Sequence, residues 1–305
     1  MSKLVEVYRN SVQAWECDQM GHLNVQFYLD KAASGTAVLA QNLGLGPDFT
    51  QAEGARLQAR EHHIRFHREQ RAGAPLLIQA GVLGTRQNGL TVYLELTNPA
   101  TAEVAATFVV ETELARPGSA ERLHLPHRAL DRAEALQIDL PDQGKPRGVE
   151  LYAPGPAPTL ENAESQGMRQ TYLGPVLQNM CCQDDRLADR SYMAVISDAV
   201  PNLLTDVRGA LAEAKNIGGA ALEYRLVYHS RPRVGDILCL RSGIKALGHK
   251  TYTLGHWLFD YSTGEAIATA EAVAVMFDLE ERRAIELPPQ ARSALERILV
   301  PGFSV

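Results

Sequence analysis

Trp15-Glu16-Cys17-Asp18-Gln19-Met20-Gly21-His22-Leu23-Asn24-Val25-Gln26-Phe27-Tyr28 is the stretch on which the fold of this chain turns. A strand-like segment, residues 3–13, leads into it, and a polar loop carries Asp18 and His22. Beyond the loop, Val25, Tyr28, Leu29, Ala32, Ala33, Val38, Leu39 and Leu43 recur near the 3.6-residue period, which predicts one long helix over residues 24–43 with Asn24 as its N-cap. The unpaired N–H groups and the positive end of that helix would face the loop. A carbonyl oxygen held there would be polarised while the Asp18 carboxylate acts on it or on a water.

Downstream, Gly44-Leu45-Gly46-Pro47 stops the helix. A partly polar connection runs to about Leu57. Strand-like runs follow at residues 58–68, 75–87, 91–98 and 101–114, with turns at Arg71-Ala72-Gly73, Gln87-Asn88-Gly89 and Asn98-Pro99. An extended segment, a long helix and then consecutive strands is an α+β order, met by an antiparallel sheet wrapped around one helix.

The pattern Asp-x-x-Gly-His-x-Asn-x-x-x-Tyr running into a long helix resembles the hotdog-fold thioesterases of the hydroxybenzoyl-CoA thioesterase-like type. Asp18, Gly21, His22, Asn24 and Tyr28 carry the match. The resemblance implies that Asp18 is the catalytic nucleophile or general base and that the amides opening the helix hold the thioester oxygen. It implies acyl-CoA or acyl-carrier-protein substrates, with coenzyme A as part of the substrate and no metal or redox cofactor needed.

At 305 residues the chain suits two domains of ordinary size. A formal charge of −6 and the lack of a basic stripe argue against a nucleic-acid partner. No apolar run reaches membrane-spanning length, and the first residues show no signal-peptide core. Cys17, Cys181, Cys182 and Cys239 form no CxxC pair and no zinc ligand set, and suit a reducing cytoplasm.

Residues 116–166 break the pattern with seven prolines, and only residues 128–136 look helical; Leu151 and Tyr152 offer apolar anchors along a surface. The first half then repeats. At an offset of 162, Glu61, His67, Arg71, Gly73, Leu76, Gly81, Leu96, Glu103, Ala106, Thr107, Leu125 and Pro126 meet Glu223, His229, Arg233, Gly235, Leu238, Gly243, Leu258, Glu265, Ala268, Thr269, Leu287 and Pro288. Tyr28 meets Tyr192 at 164. The expected organisation is an active hotdog domain at residues 1–116, a linker at 117–167, a degenerate hotdog domain at 168–290 and a tail at 291–305. Such a pair would mimic the dimer of single-unit relatives. Its second helix would span residues 189–204, ended or kinked by Pro201.

The repeat is an internal control. Counting back from Tyr192, Asp18 falls opposite Cys182, Gly21 opposite Asp185, His22 opposite Arg186 and Asn24 opposite Ala188. Asp184 and Asp185 are near but out of place, and attack geometry tolerates about 1 Å. One working site per chain follows. In it, His22 positions the loop more readily than it transfers protons. Asn24 is both cap and polar contact, and Gly21 serves close approach or a positive φ. Tyr28 recurs in both halves, which points to packing, and Trp15 suits either a wall of the acyl pocket or the core.

In plant acyl-carrier-protein thioesterases, which this chain also resembles, a glutamate on the strand after the helix is catalytic. Glu61 holds that place, but Glu223 keeps it in the half that lost its aspartate, so a structural role stays open. Along the same strands Leu222, Tyr224, Leu226 and Tyr228 meet Arg60, His62, Ile64 and Phe66. Arg60 and His62 on an otherwise apolar face suggest a lined pocket or an exposed strand end. For coenzyme A phosphates Arg65, Arg68, Arg71, Arg86, Arg231, Arg233, His249 and Lys250 are available, with none singled out.

The function expected is acyl-CoA hydrolysis. The alternatives are an acyl-carrier-protein thioesterase, a hotdog hydratase, whose Asp/His pair the loop does not match, and a non-catalytic acyl-thioester-binding module. At the family level, chains can pair into homo-oligomers through sheet edges or helices.

Overall fold

A computed structural model describes residues 4–119, 121–182, 184–212 and 216–305. Lys3, at the start of the first expected strand, and Gln183, in the second loop, lie outside the described residues. The chain divides into two compact units, Met1–Pro146 and Arg147–Val305.

In the first unit, strand β1 (Val5–Ser11) precedes helix α1 (Val25–Asn42) and a short helix α2 (Pro47–Glu53). Strands β2 (Arg56–Phe66), β3 (Pro75–Arg86), β4 (Gly89–Asn98) and β5 (Glu103–Ala115) follow, then helix α3 (His127–Ala135). All pairings are antiparallel, in the order β1-β3-β4-β5-β2. Asn24 caps α1, its side chain accepting the Gln26 N–H at 3.1 Å. The helix packs on β1, β3 and β4 through buried Leu29, Ala32 and Leu39. Each such leucine contributes about 1.5–3 kcal/mol of transfer free energy. Gly35 lets the helix settle on the sheet, since a Cβ there would stand 3.1 Å from both Val7 and Leu94. Val38, expected on the apolar face, is exposed. Lys31, a charged residue of the same helix, is buried, only 2 % exposed.

The second unit opens with helix α4 (Leu160–Ser165), strand β6 (Arg169–Pro175), helix α5 (Asp189–Leu203) and helix α6 (Thr205–Ala210). Strands β7 (Ile217–Tyr228), β8 (Ile237–Leu247), β9 (Thr251–Asp260) and β10 (Ala266–Asp278), the short β11 (Arg283–Ala284) and helix α7 (Pro289–Glu296) complete it. Its order, β6-β8-β9-β10-β7 with β11 beside β10, repeats the first. Pro201 lies inside α5 near its end rather than stopping it.

Each unit is therefore an antiparallel sheet against one long helix, the α+β arrangement expected. The repeat also reaches further than the strands. Pro126 and Pro288 are the N-caps of α3 and α7. The chain after each helix makes a parallel bridge to the third strand, Gln137 to Val82 and Leu299 to Ile244. Residues after Pro288 are accordingly packed, with Ala291, Leu295, Val300, Phe303 and Val305 buried.

Residues 117–146 belong to the first unit and 147–167 to the second. Leu151 and Tyr152 are each 40 % exposed; the Tyr152 ring packs against the Arg225 guanidinium, 4.9 Å from its centroid, and Val149 is the buried apolar residue of the stretch. Polar groups of β7 hold the same stretch. The Glu223 carboxylate accepts the N–H groups of Arg147 at 2.9 Å and Gly148 at 2.6 Å, and Arg225 donates to the carbonyls of Glu150 and Tyr152. Among the described residues no helix is long and apolar enough to cross a membrane.

Candidate active site

The loop between β1 and α1 is a tight, self-bonded turn. The Asp18 N–H donates to the His22 carbonyl at 2.8 Å and the Gly21 N–H to the Asp18 carbonyl at 3.0 Å. Asp18 Oδ1 accepts the amides of Met20 at 2.8 Å and His22 at 3.1 Å. One carboxylate oxygen thus anchors the turn. Among the described residues Oδ2 has no protein partner, and the residue is exposed. Gly21 sits at φ +76°, a left-handed conformation that side chains disfavour.

At the helix start the amides are not equally available. Asn24 N–H donates to the Glu16 carbonyl at 2.9 Å, and Phe27 N–H to the Asn24 carbonyl at 2.9 Å. Gln26 N–H is taken by the Asn24 side chain. Val25 N–H is left without a protein acceptor among the described residues. Of the amides that open the helix, that of Asn24 is therefore already committed and that of Val25 is open.

His22 lies where the loop meets the chain after β2. Its Nε2 is 2.8 Å from Arg71 Nη2 and 3.2 Å from Glu69 Oε2. A neutral ring accepts from Arg71 there; a protonated ring donates to Glu69. Glu69 was not legible from sequence, and Arg71 was visible as a turn residue, a repeat match to Arg233 and one of several available arginines, but not as a partner of His22. No periodic signal ties residues nearly fifty positions apart. Tyr28, in the first turn of α1, packs edge-on against Phe66 with ring centroids 5.1 Å apart, and its hydroxyl donates to the Arg68 carbonyl. Burial raises its pKa well above the ordinary tyrosine value, and the charges of Glu69 and Asp18 add to this.

Other expected site residues lie elsewhere. Glu61 is five residues before Phe66 on β2, about 17 Å of extended strand. Strand alternation turns it to the face opposite Phe66 and α1, where it pairs across with Glu111. Arg60 is at a β-bulge, exposed and ion-paired with Glu113 at 3.0 Å, so it does not share a lined face with His62. His62 is buried to 1 % about 13 Å along the strand from Phe66. Trp15 is not a core aromatic: it is 75 % exposed. Among the described residues no group of three His, Cys, Asp or Glu could hold a metal ion.

The second unit repeats the backbone hydrogen bonds of this loop. Cys182 N–H donates to the Arg186 carbonyl at 2.9 Å, Asp185 N–H to the Cys182 carbonyl at 3.1 Å, and Ala188 N–H to the Met180 carbonyl at 3.0 Å. Asp185 takes the place and the positive φ of Gly21. The chemistry differs. Cys182 stands for Asp18, and Ala188 offers no side-chain cap. The first helical residue is Asp189, ion-paired at 2.6 Å with Arg231, where the first unit has Val25 and Glu69. Tyr192 keeps the packing of Tyr28, with Tyr228 at 4.9 Å.

A family model described as the thioesterase-like superfamily matches residues 12–128 and 185–295. No curated protein sequence matches the chain. Among solved structures, one described as an oleoyl thioesterase of Lactobacillus plantarum is 12% identical, with TM-score 0.67 over 89% of this chain and 96% of that one. The 12:0-ACP thioesterase of Umbellularia californica is 12% identical, with TM-score 0.66 over 90% and 94%. An acyl-ACP thioesterase of Bacteroides thetaiotaomicron is 9% identical, with TM-score 0.65 over 89% and 98%. These structures share the fold of this chain, two tandem hotdog domains.

Proposed function

This chain belongs to the thioesterase-like superfamily and is a thioester hydrolase, and from that premise we propose that its first half cleaves acyl-CoA thioesters with Asp18 as the acting carboxylate. A contrast between the two copies of the loop carries the assignment. On the same backbone, the first copy offers a carboxylate with one oxygen uncommitted and an open amide at Val25. The second offers a thiol at Cys182 and a helix start occupied by the Asp189–Arg231 ion pair.

The thioester carbonyl oxygen takes the Val25 N–H, which points along the positive end of α1. Asp18 attacks the carbonyl carbon or removes a proton from the water that does. The resulting oxyanion is stabilised by the Val25 amide, the thiolate leaves, and water supplies the atoms of the acid and the thiol. His22, held by Arg71 and Glu69, keeps the turn in place through the amide it donates to Asp18. Asn24 fixes the first turn of the helix. The four cysteines are free thiols and suit a reducing compartment, so residence in the cytoplasm is part of the same reading.

Thiol release measured across short, long, aromatic and charged acyl-CoAs tests the proposal. Asp18→Asn should lower turnover by roughly 10²–10⁴-fold with the circular dichroism unchanged. Wild-type rates in that variant would refute it. A second reading, hydrolysis of acyl-carrier-protein thioesters, is favoured by the names and two-copy span of the Umbellularia californica and Bacteroides thetaiotaomicron proteins. Parallel assays with both carriers decide between them.

A further inference from the structure

Lys31 and Glu16 form an ion pair inside the first unit that the mechanism above does not use. Lys31 Nζ lies 2.6 Å from Glu16 Oε1, and the two residues are 2 % and 8 % exposed. The other carboxylate oxygen of Glu16 accepts the Gln13 N–H at 2.9 Å, and its main-chain carbonyl accepts the Asn24 N–H. The ammonium also faces the Tyr8 ring, 6.0 Å from its centroid. Glu16 precedes Asp18 by two residues, so the pair binds the base of the Asp18 loop to the second turn of α1.

The second copy shows what the fold needs at these positions. Met180 stands for Glu16 and Val195 for Lys31, and the loop keeps the same backbone hydrogen bonds without either charge. Burying two charges is a weak source of stability, and an apolar pair of similar volume often serves as well. The second copy fastens its loop differently. Ser191, in the first turn of α5, donates its hydroxyl to the Met180 carbonyl at 2.7 Å. Its counterpart Phe27 has no hydroxyl. Lys31 is four residues, about one helical turn, beyond Phe27.

We infer that Glu16 and Lys31 are positioning residues, which fasten the Asp18 loop from the second turn of α1 so that the first turn stays open around the Val25 amide. The inference rests on the assignment of Asp18 and Val25 above. In the second copy the first turn carries the fastening hydroxyl of Ser191 and the Asp189–Arg231 pair. In the first copy no side chain of that turn is used to hold the loop base. The pair thus sets the separation of carboxylate and amide, a distance to which the reaction is sensitive at about the 1 Å level.

The test compares the full-length protein with the variant Glu16→Met/Lys31→Val, which installs the residues of the second copy. Its melting temperature should stay near wild type. KM should remain within about threefold while kcat falls about tenfold or more, because geometry at the reacting atoms is lost and ground-state binding is kept. Lys31→Arg, which keeps the charge, should retain most of kcat. Adding Phe27→Ser supplies the other copy's fastening; the triple variant should fold and remain slow. A folded double variant with kcat within about twofold of wild type overturns the inference, as does failure of both double and triple variants to fold. Asp18→Asn is run beside them. If it is active, the site assignment falls; if it is inactive while the double variant is fully active, only the role of the ion pair falls.

Discussion

Asp18 and Cys182 stand at the same point of two copies of one turn, each donating its amide to the carbonyl four residues on, at 2.8 and 2.9 Å. The duplicated turn has been kept as architecture, while its side chains have diverged. Restoring a carboxylate to the second turn should therefore not restore a site. Cys182→Asp placed in the Asp18→Asn background should leave thiol release at the Asp18→Asn level, because the Asp189–Arg231 pair still occupies the helix start. Recovery of activity in that variant would show that the carboxylate alone was missing.

The oxyanion role of Val25 can be isolated without touching a side-chain function. Proline is favoured at the first helical position, and Asn24 already has the extended backbone, φ −67° and ψ 144°, that a following proline demands. Val25→Pro should keep the helix and remove the open Val25 N–H. The expected loss is about 10²–10³-fold in kcat, the usual effect of deleting one oxyanion donor. Unchanged kcat with intact far-ultraviolet circular dichroism would show that another donor holds the oxygen.

The two glutamates at equivalent points of β2 and β7 should behave differently. Glu223 accepts buried backbone amides of the incoming chain, so Glu223→Ala should destabilise the protein by about 2–3 kcal/mol in urea unfolding. Glu61 lies on the far face of its strand, and Glu61→Gln should leave kcat within about twofold of wild type. A large fall in kcat for Glu61→Gln would return it to the catalytic set.

His256 predicts an acid-sensitive second unit. It is buried beneath α5's side of the sheet, with Nδ1 2.8 Å from Ser242 Oγ and no partner for Nε2 among the described residues. Burial pushes its pKa from 6.5 down to about 3. The unfolded chain takes up the proton as pH falls below 6.5 and the folded chain does not until about 3. Its contribution to stability is thus complete above the upper value and lost towards the lower one, at up to about 1.4 kcal/mol per pH unit. His256→Leu installs the residue of the first unit, Leu94. Urea midpoints followed by Trp257 fluorescence should fall less between about pH 7.5 and 4.5 in the variant than in wild type. Equal falls would place the acid sensitivity elsewhere.

What could be read along the chain was what is local or periodic. Helix α1, its Asn24 cap, the strands and the repeat announce themselves within a few residues or at a constant offset. Helices α2 and α4 did not, because one or two turns leave too few residues to establish a period. Sequence order put Asp18 before a helix, since that depends only on neighbours. It could not show that Asn24 spends its amide on Glu16, that Glu69 and Arg71 close on His22, or that Lys31 is buried. It also placed Arg60 and His62 on one face, where a bulge at Arg60 breaks the alternation that was assumed. Residue order by itself determined the α+β class, the duplication and which copy keeps the acid, because these follow from short-range pattern. Which amide is open, which carboxylate faces the loop and how the second copy is closed were decided only by tertiary structure, because those facts depend on hydrogen bonds and ion pairs between segments that the chain holds far apart.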